Sequence, residues 1–170
     1  MDTIQAILER RSIRKYEEKE VSDEIVKELL KAAMAAPSSN NMQPWEFLVI
    51  RNKEQMSKIV EAKQAATPLM GASVAIAVCA DLNVYKGKPN LWVQDCSAAT
   101  QNILLASHAK GLGAVWISIY PVETRTKKVQ DILGLPEEII PVSIISIGYP
   151  GELKEPSNRY NESKVHFYKW

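Results

Sequence analysis

The stretch Arg10-Arg11-Ser12-Ile13-Arg14-Lys15-Tyr16 packs three arginines, a lysine and a hydroxyl into seven positions. Arginine forks match phosphate oxygens two at a time, and a serine hydroxyl adds a further donor. A second explanation needs no ligand. Cations at a helix C-terminus gain about 0.3–1 kcal/mol each from the macrodipole, which accounts for Arg10 and Arg11 if a helix ends there. It accounts poorly for Arg14 and Lys15, which lie beyond the last turn. Charge alone leaves phosphate binding and a solvated cationic face both open. The other polar concentration is APSSNNMQPWEF, residues 36–47. Its amides and hydroxyls donate and accept, which suits a ligand with alternating donors and acceptors on a ring edge. The same residues favour turns, and taken alone the stretch reads first as a turn-rich connection.

Other chemistries are missing. His108 and His166 are the only histidines, and neither has a metal-ligating partner at useful spacing, so no metal site is expected. There is no G-x-S-x-G elbow, no H-E-x-x-H and no P-loop. GLGAVW, residues 111–116, begins like a dinucleotide fingerprint. Trp116 stands where the third glycine belongs, however, and the segment follows a helix and opens a strand, the reverse of the required order.

The elements that must position these residues alternate between helix and strand. A short helix over 2–10 carries Ile4, Ile7 and Leu8 on one face. A second, over 23–36, has Ser22 as N-cap, acids in its first turn, a Val21–Val26 staple and a stripe of Ile25, Val26, Leu29, Leu30, Ala33 and Met34; Pro37 ends it. Strands are expected at 45–50, 73–80, 114–119 and 141–148, the second buried on both faces. Helices are expected at 53–65, 90–110 and 122–133, with Gly111 and Gly134 closing the last two. The 90–110 helix is apolar nearly all round, from Leu91, Trp92 and Val93 to Leu104, Leu105 and Ala106, so it needs cover on most sides. A second subunit explains that better than a compact monomer does. From Tyr149 onward the chain is polar and irregular.

Size and composition set the frame: 170 residues, 46% hydrophobic, 24% charged, net charge +1. That fits one soluble domain with a sizeable core and no general affinity for nucleic acid. No apolar run approaches the ~20 residues of a membrane span. The N-terminus MDTIQAILER has no leader pattern, and Cys79 and Cys96 form neither a C-x-x-C pair nor a metal spacing, so a cytoplasmic location is expected.

Taken in order, RRSIRKY, APSSNNMQPWEF, GLGAVWIS and the closing GYPGELKEPSNRYNESKVHFYKW resemble the nitroreductase family of flavin enzymes over essentially the whole chain. The resemblance implies an α+β fold, a central, mostly antiparallel sheet flanked by helices, as one domain over 1–170. It implies an intertwined homodimer with FMN at the interface, with residues 150–170 as a C-terminal arm over the partner. By resemblance, Arg10 and Arg11 bind the FMN phosphate, Ser12 the ribityl-phosphate region, and Arg14 the pyrimidine edge. Pro37, Ser38, Ser39 and Asn41 come from the other subunit to line the ring. Gln64 reaches its polar edge, the backbone of Trp116, Ile117 and Ser118 faces it, and Arg159 closes on the phosphate. No side chain is expected to be catalytic in its own right.

The implied activity is a ping-pong NADH- or NADPH-dependent reduction of nitroaromatics, quinones or similar small oxidants. A non-catalytic FMN-binding or regulatory protein, a dehalogenase and a flavin-fragmenting enzyme are the alternatives. The sequence departs from the longer members in three ways. It lacks their helical excursion over the flavin. Ser118 and Ile119 replace an acid and a glycine after the flavin-facing strand. Ser157 replaces a lysine two residues before Arg159.

Overall fold

An uninterrupted apolar run such as residues 74–80 is stable in a sheet only where both faces are covered. The structure, a computed structural model that describes residues 1–85 and 91–170, places that run at the sheet's centre. The elements are α1 (Thr3–Glu9), α2 (Asp23–Met34), β1 (Trp45–Ile50), α3 (Lys53–Ala62), β2 (Val74–Asp81), α4 (Trp92–Ala109), β3 (Gly113–Ser118), α5 (Glu123–Leu133) and β4 (Ile139–Gly148). The sheet order is β1-β2-β4-β3, and every pairing is antiparallel. Pro141 sits in a central strand because it lies opposite Cys79, where the β2–β4 register shifts and a ladder donor can be spared.

Alternation along the strands separates two cores. Val74, Ile76, Val78 and Ala80 face α2 and α4, with Ala114, Ile145 and Ile147 on the same side. Ala75, Ala77, Cys79, Ile117 and Ile144 face α3, α5 and the segment after α3. Ser22 caps α2 by accepting from Ile25 N–H at 3.4 Å, and Gly134 closes α5 at φ 65, the left-handed conformation that glycine adopts most cheaply.

Three expected bounds need correction, the first at α2, which ends at Met34 with Ala35 as its C-cap and not at 36. The third helix stops at Ala62, not at 65, because Lys63 turns extended; residues 64–70 then form a 3₁₀ segment containing Pro68. On α1 the apolar face does not enter this chain's core. Only Ala6 is buried, and Ile4, Ile7 and Leu8 are exposed. The longest helix begins at Trp92, and residue 90, where it was expected to start, lies outside the described residues. Its burial is also less apolar than its composition suggests, because Asp95, Thr100 and Ser107 are buried along with Trp92, Cys96 and Ile103.

Candidate functional site

The arginine-rich stretch follows α1 as an extended strap along the outer edge of β3. Arg10 closes α1. Ser12 then bridges to Ala114 in parallel sense, and Ile13 N–H donates to Ala114 O at 3.1 Å. Two glycines make this close approach possible. A Cβ on Gly113 would stand 2.6 Å from Ile13 Cγ2, and one on Gly148 would stand 2.9 Å from the Tyr16 ring. The Tyr16 hydroxyl reaches Ile13 O at 2.9 Å and Ser146 O at 3.0 Å, and burial pushes the phenol up to about 12.

The start of the C-terminal tail clasps the strap. Gly151 N–H donates to Lys15 O at 2.9 Å and Glu17 N–H to Tyr149 O at 3.0 Å. Glu152 accepts from Arg14 N–H at 2.6 Å and from Lys154 at 2.9 Å, and Lys154 also donates to Ser12 O at 2.9 Å. Arg11 donates to Glu155 O. The tail thereby brings Arg159 to the first arginines. Burial, then the charges of Arg159 and Arg11, push the Arg10 guanidinium below its ordinary value.

Among the described residues, none of Arg10, Arg11, Arg14 and Arg159 forms an ion pair. Like charges held together without a carboxylate are unfavourable unless an anion joins them. Arg10, Arg11 and Arg159, which are close enough for their charges to interact, therefore suit a multiply charged anion such as a phosphate monoester, with Ser12 alongside.

Glu152 and Lys154 carry no sign of this role in the sequence. Accepting the Arg14 amide, and then Lys154, holds the Glu152 carboxyl below the usual glutamate range. A carboxyl lowered by folding stabilises the clasp above its unfolded pKa, and that contribution fades as pH falls through the folded value. Protection of the Arg14 amide from hydrogen exchange should therefore decline in acid, and Glu152→Gln should lower it already at neutral pH. Equal protection factors in the two proteins would remove the clasp.

The remaining site residues follow β3. Trp116 lies on the α2–α4 side, and its buried indole N–H has no hydrogen-bond partner among the described residues. Ile117 turns its side chain into the opposite core and leaves only backbone to a ligand. Ser118 ends the strand, exposed. Gln64, exposed, belongs to this end: its neighbour Lys63 feels the charge of Arg125, whose Nε donates to Ile119 O at 2.9 Å. Lys63 and Arg125 were not anticipated, because nothing in the sequence ties them to β3. From Ala114 to Ser118 the strand spans about 13 Å, room for an elongated ligand with an anionic head and a planar end.

Pro37, Ser38, Ser39 and Asn41 are elsewhere. Their loop is fastened to the start of α4, where Asp95 accepts from Ser39 N–H at 3.0 Å. Arg10 lies near the other end, since its charge reaches His108. Asp95 and His108 are separated by about 20 Å of helix axis. One chain therefore does not bring its loop to its own arginines.

A model described as the Nitroreductase family matches residues 7–81 and 68–149. The "Putative NADH dehydrogenase/NAD(P)H nitroreductase" of Archaeoglobus fulgidus is 46% identical over 99% of both chains. A crystal structure of a protein of the same name from Parabacteroides distasonis superposes with a TM-score of 0.95 at 40% identity, covering 99% of this chain and 98% of that one. The FMN-dependent nitroreductase of Clostridium difficile R20291 gives 0.90 at 34% identity, covering 98% and 99%. With its antiparallel sheet, its cationic strap and these matches along nearly its full length, the chain belongs to the nitroreductase family.

Proposed function

We propose that this protein is an FMN-dependent NAD(P)H oxidoreductase that reduces nitroaromatics, quinones or similar small oxidants in alternating half-reactions. The observation that carries the reading is the group of Arg10, Arg11 and Arg159 at the head of β3, without counter-ions among the described residues. The residues fit the cofactor. Arg10, Arg11 and Arg159 hold its phosphate, and Ser12 adds a hydroxyl. Trp116, Ile117 and Ser118 flank the ring, with Gln64 at its polar edge. The chemistry supplied by a bound FMN is two-electron transfer, taking hydride from NADH or NADPH and delivering reducing equivalents to the oxidant. The chain's part is to bind, orient and set the local field.

The working unit in this reading is a homodimer with two such sites, Pro37, Ser38, Ser39 and Asn41 of each subunit lining the ring in the other. Three observations support it: the distance between loop and strap within one chain, the exposed face of α1, and a tail whose Leu153, Tyr160, Phe167, Tyr168 and Trp170 are exposed. All 170 residues then form one domain, and 150–170 is an arm that crosses the partner. No helix among the described residues is long and apolar enough to cross a membrane. We place the enzyme in the cytoplasm, which suits its two buried free thiols.

Arg14 is exposed, and its guanidinium donates to Ser12 O at 3.5 Å. We assign it to the pyrimidine edge, where a cation favours negative charge on the reduced ring. Arg14→Ala should lower both the rate of NAD(P)H oxidation and FMN affinity more than His108→Ala or His166→Ala. A larger loss in His108→Ala would overturn these roles. The reading as a whole is tested by steady-state NADH and NADPH oxidation with menadione or a nitroaromatic, FMN supplied. Turnover dependent on both protein and oxidant is expected. FMN binding without turnover would favour the carrier or regulatory alternative.

A further inference from the structure

Asp95 is an acid in the first turn of α4, and it is only 5% exposed. A buried carboxylate is costly unless its oxygens are satisfied. Among the described residues it has no cation partner. Its two oxygens are divided instead: Oδ1 accepts from Ser39 N–H at 3.0 Å, and Oδ2 accepts from the buried Tyr85 hydroxyl. The helix start favours negative charge there, which partly offsets the burial.

The loop that it holds is unusual. Asn40, Asn41 and Gln43 have φ 50, 55 and 48, left-handed conformations that non-glycine residues adopt at a cost. Internal bonds shape the loop: Asn41 N–H to Ser38 O, Gln43 N–H to Ser38 Oγ, both at 3.0 Å, and Gln43 Nε2 to Asn41 Oδ1 at 2.9 Å. None of these fixes it relative to the helices. Asp95 ties it to α4, and Tyr85 holds the carboxylate from behind.

We infer that Asp95 is a positioning residue for the flavin site, setting the Pro37–Asn41 loop through the Ser39 amide. This rests on the functional reading above, which places that loop on the ring bound by the partner's arginines. Asp95 touches neither ring nor phosphate. Its effect passes through one backbone hydrogen bond, across the subunit boundary.

The test compares Asp95→Leu, similar in branching but unable to accept, with Asp95→Asn, which can still accept from Ser39 N–H. Apo-protein is titrated with FMN by flavin fluorescence, and the bound flavin is followed by visible circular dichroism. Asp95→Leu should raise the FMN dissociation constant about tenfold, the scale of a lost hydrogen bond to a charged group, and alter the dichroism. Asp95→Asn should restore both nearly to wild type. If Asp95→Leu does not fold, Asp95→Ala takes its place with the same expectation. A folded Leu or Ala variant that binds FMN with wild-type affinity and dichroism would overturn the inference. So would an Asn variant as weak as the apolar one, since the carboxylate would then act through charge and not through the Ser39 amide. A wild-type protein that does not bind FMN would instead defeat the functional reading itself.

Discussion

Arg10→Ala is expected to weaken FMN binding about a hundredfold, to leave riboflavin binding unchanged, and to leave the apo-protein as stable as before or more so. The first effect follows from removing a fork that grips phosphate, a loss of about 3 kcal/mol for a charge-assisted contact. The second follows because riboflavin has no phosphate for Arg10 to hold. The third is the less obvious. Without ligand, Arg10 is half-buried and repelled by Arg159 and Arg11, so alanine relieves a strain that only an anion otherwise relieves. Titrations with the two flavins and a thermal melt of the apo-protein measure all three. Equal losses for FMN and riboflavin would mean that Arg10 supports the ring or the fold and does not bind phosphate.

The second large effect belongs to Gly113. An alanine there would place its Cβ 2.6 Å from Ile13 Cγ2 and 2.8 Å from Ile13 Cβ. Ile13 is buried and β-branched, with little freedom to turn aside, so the strap itself must lift. Overpacking of this kind costs about 1–3 kcal/mol. Lifting the strap strains the Ser12–Ala114 bridge and moves the arginines. Gly113→Ala should therefore lower the melting temperature and weaken FMN binding together, the latter by about tenfold. Gly111→Ala is the control. It has φ 74 but, beyond its chain neighbours, no atom of the described residues within 4 Å of the added carbon, so it should cost stability through the backbone alone and leave FMN binding intact. Matching FMN affinities in the two variants would mean that the Gly113 contact does not seat the strap.

Much of this arrangement was legible in the sequence because it rests on local pattern. The apolar run at 73–80 and Gly134 mark their elements within a residue, and the Ser22 cap marks the start of α2. The order of the four motifs then supplied the family and the candidate ligand residues. What the sequence hid depends on distant contacts. Asp95 looks like an ordinary polar break in an apolar helix, and only the fold brings it to Ser39. Glu152 and Lys154 look like solvated tail charges until the tail folds back on the strap. The end of α3 was set too late because Lys63 and Gln64 are acceptable helix residues, and it is tertiary packing of Ala66 and Leu69 that turns the chain into a 3₁₀ segment. The apolar face of α1 is plain in the sequence, and in the fold its Ile4, Ile7 and Leu8 stay exposed.

The most direct test of the central claim is the visible spectrum of freshly purified protein, followed by anaerobic addition of NADH or NADPH. A flavin spectrum approaching one FMN per chain, bleached by the reduced nicotinamide, is the expected result. A protein that is colourless and stays unchanged when FMN is added would contradict it, and the arginines of the strap would then require a different anion.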